Sequence, residues 1–261
     1  MQKGVGVMWK RTGFVGCALA VIVTMAAVTS AQTPAAPQTA GAQSLTVDEI
    51  VAKHLATKGG AEKWKTIQTQ KMTGVAMAQG FQLAVTVYAK RPNQTRQDLI
   101  VEIPGQPTMT IVNLFDGNKA WMINPMAGST APQTMPDSET ALAKAQSDFD
   151  GALVDYKAKG YTVVALDQTT VGGKPAHHLK VTRADVPTQH FFLDTETFVE
   201  LRVSTEGPTA SETDLSDYKT IDGIMVPHHL RISQGGVLQA ELKFTKVEFN
   251  TPLEDSLFRV K

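Results

Sequence analysis

The sequence predicts a mainly β protein: one long, curved antiparallel sheet of about a dozen strands, with an N-terminal helix and one central helical segment. Three observations carry this. From Gln68 onward, apolar residues alternate with polar ones at the two-residue period of a half-buried strand. The runs are short and separated by turn sequences such as RPNQ, PGQP and DGNK, so successive strands fold back as a meander. Helical patterning is confined to the stretches 45–60 and 137–160.

Two segments precede the fold. Lys3, Lys10 and Arg11 come before an apolar stretch from Phe14 to Val28. At about fifteen residues it fits a signal-peptide core and falls short of the ~20 that span a bilayer. Thr29-Ser30-Ala31 supplies small residues for cleavage, so 1–31 reads as a signal peptide and the mature chain as beginning near Gln32. Cys17 is the only cysteine and lies within the apolar core instead of after it, which argues against a lipid anchor. The mature chain then has no disulfide, thiol chemistry or cysteine metal site. Residues 32–44 are small, polar and proline-bearing, and read as a disordered linker.

The full chain carries 25 basic and 25 acidic residues. Removing Lys3, Lys10 and Arg11 leaves 22 basic against 25 acidic, a formal charge of −3. With no basic run, the chain is a poor match for nucleic acid.

Residues 45–261 read as a single domain. In SLTVDEIVAKHLATKGG, Thr46 and Glu49 form a capping box, and Leu45 with Ile50 has the spacing of a hydrophobic staple. Ile50, Val51, His54 and Leu55 share one helical face, and Gly59-Gly60 ends the helix. AEKWKTI is a short turn that seats Trp64. Strands follow in FQLAVTVYAK, RQDLIVEI, TMTIVNLF and KAWMIN, with Asp116-Gly117 at a hairpin turn. INPMAGSTAPQTMP reads as a loop. The segment 137–160 is helical in composition, capped at Asp137 or Ser138, sparse in apolar residues and divided by Gly151. Strands then resume from YTVVALD through VLQAELKFTKVEF.

Four of the six histidines form two pairs, His177-His178 and His228-His229. Neighbours on a strand point to opposite faces, so neither pair can chelate one ion. No zinc spacing is present, and the pairs read as one interior hydrogen-bonding imidazole and one solvated one. No nucleophile elbow appears, so the catalytic reading is a distant third. Asp148, Asp150 and Asp155 lack calcium-loop spacing and read as caps. The apolar residues say more. Phe81, Leu83, Val85, Val87, Leu99, Val101, Met109, Ile111, Phe115 and Trp121 lie on what read as shared sheet faces. A curved sheet with so few helices leaves an apolar groove, and methionines cluster in the same half of the chain.

Six stretches, LTVDEIVAKHLATKGGAEKWKTIQT, NLFDGNKAWMINP, DFDGALVDYKAKG, LDTETFVELRVS, DYKTIDGIMVPHHLRI and FNTPLEDSLFRVK, together resemble bacterial outer-membrane lipoprotein-sorting proteins, which are similar to the periplasmic LolA/LolB carriers. The most recognisable pieces are Asp116, Gly117 and Trp121 of the hairpin, and Asp217, Tyr218, Lys219, Gly223 and Pro227. The resemblance implies an unclosed antiparallel β-barrel around an apolar cavity, covered by the N-terminal helix and a central helical lid. It also implies an arginine that latches the lid, for which Arg91 and Arg96 are candidates.

The reading that follows is a soluble, non-catalytic periplasmic carrier or binding protein for lipoprotein acyl chains or other lipids. The expected ligand-binding residues are Phe81, Leu83, Val85, Val87, Leu99, Val101, Met109, Ile111 and Trp121, with Phe149, Leu153 and Val154 as a lid over the mouth. No cofactor, nucleotide or metal is required. The alternative is a periplasmic sensor or scaffold that engages an envelope protein partner. No stable membrane span is expected, and a monomer is.

Overall fold

A computed structural model describes residues 45–78, 80–208 and 210–260. The expected signal peptide and linker, with Cys17, lie outside the described residues. The helices are α1 (Val47–Thr57), α2 (Ala61–Lys65) and α3 (Asp137–Ser147). The first six strands are β1 (Thr69–Ala78), β2 (Phe81–Lys90), β3 (Gln94–Val101), β4 (Met109–Phe115), β5 (Ala120–Asn124) and β6 (Ser129–Thr134). After α3 come β7 (Thr162–Val171), β8 (Lys174–Thr182), β9 (Gln189–Asp194) and β10 (Glu200–Thr205), then β11 (Glu212–Ile221), β12 (Ile224–Gln234) and β13 (Val237–Phe249).

All thirteen strands belong to one sheet in the order β6-β5-β4-β3-β2-β1-β13-β12-β11-β10-β9-β8-β7. All twelve pairings of neighbouring strands are antiparallel. Two meanders, β1–β6 and β7–β13, join where β1 pairs with β13. The sheet stays open, with β6 and β7 at its edges, and α3 and residues 148–160 carry the chain from one edge to the other.

The local chemistry explains the boundaries. At α1, the Thr46 hydroxyl accepts from the Glu49 amide at 3.3 Å while the Glu49 carboxylate accepts from the Thr46 amide at 2.8 Å, the expected capping box. At the β4–β5 hairpin, the Asp116 carboxylate accepts from the amides of Asn118 and Lys119 and from Trp121 Nε1, all at 2.8 Å. Where β1 crosses β13, Gly74 sits at a register shift. A Cβ there would lie 2.0 Å from the Lys243 carbonyl oxygen, so only glycine fits this approach.

Two expectations are corrected. The central helix ends at Ser147, and 148–160 is a turn-rich segment, because Gly151 and Asp155 take positive φ (75° and 48°). The cap residue before α3 is Pro136. The stretch expected to be a loop before it contains a 3₁₀ turn, Pro125–Ala127, and the edge strand β6.

Residues directly opposite each other in an antiparallel ladder share a face, which sorts the core. On one face, α1, Ala152 and Leu153 pack on Leu179, Val181, Phe191 and Leu193. On the same face Trp64 and Phe149 pack with Ile224, Val226 and Val247. The reverse face is largely solvated, except where residues 252–260 cross it and bury Phe258 against Val112 and Leu114.

Candidate functional site

Apart from Trp121, the apolar strand residues expected to line a groove occupy the helix-bearing face. Val85 stands opposite Gly74 on one side and Leu99 on the other, Leu99 opposite Ile111, and Val101 opposite Met109. Leu83 is opposite Ala76, Val87 opposite Met72 and Phe81 opposite Ala78. Val85, at 1% exposure, centres a cluster with Ala76, Leu242 and Phe244, onto which Met72, Val87, Leu99, Leu230, Ile232 and Ala240 pack. All ten residues come from β1, β2, β3, β12 and β13. Among the described residues no helix contributes to this cluster, unlike its neighbours on the same face.

The cluster opens toward the end of the sheet that carries the β1–β2 and β12–β13 turns. There Phe81 is 58% exposed and Val237 62%, while Met77, opposite Gln82, and Leu238, opposite Ser233, are exposed on the reverse face. Residues 72–89 and 232–240 carry no charged side chain, so this rim is apolar and neutral.

Trp121 does not join this surface. It is opposite Leu114, which faces the reverse side, and its ring packs with Val112, Leu114 and Phe258. The four-residue turn 116–119 pairs Phe115 with Ala120, so odd positions of β4 share a face with even positions of β5. Simple alternation along the sequence does not reveal that switch.

Phe149, Leu153 and Val154 are all buried, but away from the exposed rim. The Phe149 amide donates to the Pro92 carbonyl, in the turn after β2, whereas Phe81 begins that strand. Phe149 stacks on Trp64 at 5.7 Å, and Leu153 packs with Ile50 and Val51 of α1. Phe149 therefore plugs the end opposite Phe81, and Leu153 packs under α1, instead of capping the exposed mouth. Met72 links the two regions, since it packs both with the Phe149 cluster and with the strand-only cluster.

Arg91 secures that plug. Its guanidinium donates to the Ile67 and Trp64 carbonyls at 2.5 and 3.1 Å, pairs with Asp150 at 2.5 Å and covers the Phe149 ring at 4.7 Å. Burial raises the Asp150 pKa, but the Arg91 charge and hydrogen bond outweigh it and hold the carboxyl below its usual range. Arg96, the other candidate latch, faces the reverse side, where it bonds Asp98 and the Leu257 carbonyl.

The histidine pairs divide as strand alternation requires. His177 and His228 are buried on the helix-bearing face, His228 Nδ1 lying 3.0 Å from the Val226 carbonyl and His177 stacked on Phe198. Their partners face outward. His178 meets His190 at 2.8 Å, and His190 meets Glu206 at 2.7 Å. His229 bridges Ser216 at 3.1 Å and Glu241 at 2.7 Å. The outer imidazoles are thus tied into polar networks as well as solvated. The Ser216–His229–Glu241 row lies on open strand surface. Among the described residues, no group of three or more His, Cys, Asp or Glu side chains could hold a metal ion.

A cleft of about 620 Å³ lies on the reverse face, between 252–260 and strands β3–β6. Its lining includes Arg96, Val112, Leu114, Trp121, Ile123, Leu253, Leu257 and Arg259. Sequence reasoning passed over it. The available signal was β4 itself, where Ile111 and Phe115 on one face alternate with Val112 and Leu114 on the other. A strand apolar on both faces is covered on both.

Solved structures place the architecture. A domain from Vibrio parahaemolyticus named for outer membrane lipoprotein sorting superposes with a TM-score of 0.54 at 14% identity, over 80% of this chain and 94% of that one. A LolA superfamily protein from Nitrosomonas europaea gives 0.55 at 13% identity, over 83% and 98%. The fold is LolA-like. A DUF1329 family protein from Desulfovibrio piger matches similarly, at 0.54 and 13% identity over 82% and 97%. No protein-family model matches the sequence, and no curated protein matches it. The unclosed barrel expected from the sequence is therefore the fold observed. Among the described residues, no helix is long and apolar enough to cross a membrane.

Proposed function

We propose that this chain is a non-catalytic periplasmic carrier or binding protein for lipoprotein acyl chains or other lipids, held on the strand-only apolar surface of the LolA-like sheet. The observation that carries the reading is the cluster centred on Val85: five strands supply ten apolar residues, and among the described residues no helix side chain packs into it. Its neighbours on the same face are covered by α1 and by 148–160. An acyl chain laid on such a surface gains ~0.8 kcal/mol per buried CH₂, so no polar anchor is needed to hold it. The uncharged rim at Phe81 and Val237 gives the chain an apolar way in. The signal peptide read in residues 1–31 supports a periplasmic location.

The test is binding of a fluorescent fatty-acid probe to delipidated protein. Leu83→Glu, at a half-buried lining position, should abolish binding, because an unpaired carboxylate on this surface is costly to desolvate. Ala84→Glu, exposed on the reverse face, should leave binding intact. Equal loss in both folded variants, or no probe bound by the wild type, overturns the reading.

A further inference from the structure

We propose that the reverse-face cleft is a second binding site, for an amphiphile with an apolar chain and an anionic head group. It is separate from the surface assigned to acyl chains above and does not depend on that assignment. The cleft's volume of about 620 Å³ lies within the range of small-molecule sites, roughly 300–1,000 Å³. Val112 and Leu114 form its apolar floor, and Trp121 and Ile123 on one side face Leu253 and Leu257 on the other.

The C-terminal strap that forms one wall is held in place. Lys90 donates to the Leu253 carbonyl at 3.0 Å and pairs with Asp255, Arg96 donates to the Leu257 carbonyl at 3.1 Å, and Phe258 is fully buried. The cleft is therefore preformed and is not a gap under a loose tail.

Its charged groups set the head-group chemistry. Arg96 and Arg259 line the cleft, and Glu254 is the one carboxylate among the lining residues. Arg96 is oriented by Asp98 at 2.7 Å, whereas Arg259 has no ion pair among the described residues. With Arg96 already paired to Asp98, the Arg259 guanidinium beside an apolar floor matches an anion carried on an alkyl chain, since guanidinium groups recognise carboxylates and phosphates bidentately. Trp121 offers the chain an aromatic wall, and its indole N–H is already satisfied by Asp116.

Trp121 also reports on the site. Of the chain's three tryptophans, only Trp64 and Trp121 follow the expected cleavage site, so Trp64→Phe leaves Trp121 alone in the mature protein. In that background a brominated fatty acid should quench the fluorescence saturably. The brominated alcohol of equal length should need about tenfold more, the weight of one charge-assisted hydrogen bond. A brominated alkyl phosphate separates a phosphate-headed source from a carboxylate one. Arg259→Ala should weaken acid binding by about tenfold and leave the alcohol unchanged, while Glu254→Gln should tighten the acid. Leu83→Glu, which disables the other face, should not alter the quench. Three results would each overturn the proposal: no quench by any probe, equal affinity for acid and alcohol, or quenching lost in Leu83→Glu but kept in Arg259→Ala.

Discussion

The imidazole of His54, buried on α1, lies 3.3 Å from the carboxylate of Glu200 at the start of β10. Its other ring nitrogen faces the Phe198 carbonyl at 2.9 Å. Both neighbours accept hydrogen bonds from the ring. Lys58 places an ammonium 3.3 Å from the same carboxylate. This group fastens α1 to the sheet, and Glu200→Gln leaves the Lys58 ammonium facing a neutral amide. The expected cost is about 3–5 kcal/mol of unfolding free energy, read by urea denaturation at neutral pH.

The pH dependence follows from the same residues. Burial pushes the Glu200 carboxyl up, but Lys58 and His54 outweigh it and hold it well below the usual range. A depressed carboxyl contributes stability above its unfolded value of 4.5 that is lost as the pH falls below it. His177 and His178 are lowered from 6.5, chiefly by burial, and an earlier decline should therefore begin below that value. Urea midpoints taken from pH 8 to 3 should show both declines, and Glu200→Gln should flatten the lower one only.

At the alkaline end, burial raises the pKa of Tyr218, whose hydroxyl donates to the Glu200 carbonyl at 2.6 Å. The unfolded chain ionises this phenol near 10 while the folded chain does not, so stability should fall as the pH rises above that value. Tyr218→Phe should cost about 1 kcal/mol near neutrality and shrink this alkaline loss.

Arg91 makes its own prediction. Replacing it with methionine keeps aliphatic bulk but removes the Asp150 pair and two carbonyl contacts. A loss of about 3–5 kcal/mol is expected, with faster amide exchange centred on 148–151. Unchanged exchange there would show that Arg91 does not secure the plug.

Gly74→Ala should be among the most damaging single-methyl additions in the chain. The added Cβ meets main-chain atoms of β13, not a flexible side-chain end, so the strands must separate. A loss above ~3 kcal/mol is expected by thermal or urea melting, compared with under about 1 kcal/mol for Ala84→Ser on exposed strand surface.

Much of this was legible in the sequence. The capping box of Thr46 and Glu49, the alternation of β2 and the turn at Asp116 are local chemistry, and each appears as expected. Strand alternation alone also separates His177 from His178 and His228 from His229. The misplacements have non-local causes. Trp121 changed face because the β4–β5 turn shifts parity. The central helix ended early because Gly151 and Asp155 take left-handed conformations that composition alone does not announce. The reverse-face cleft went unread because its two walls are more than a hundred residues apart in the chain.

A sheet left open has two rims of unpaired main-chain donors and acceptors, along β6 and β7. Such rims invite strand addition by a second molecule, the first step toward fibrils. Here each is interrupted. β6 is short and carries Pro132, which has no amide hydrogen to offer. β7 loses register with β8 between Leu166 and Thr169, which kinks the outer strand and breaks the row an incoming strand would follow. Both interruptions sit in the outermost strand, where they leave the central pairings intact. The chain can therefore keep an unclosed sheet without presenting a long, straight template for self-association.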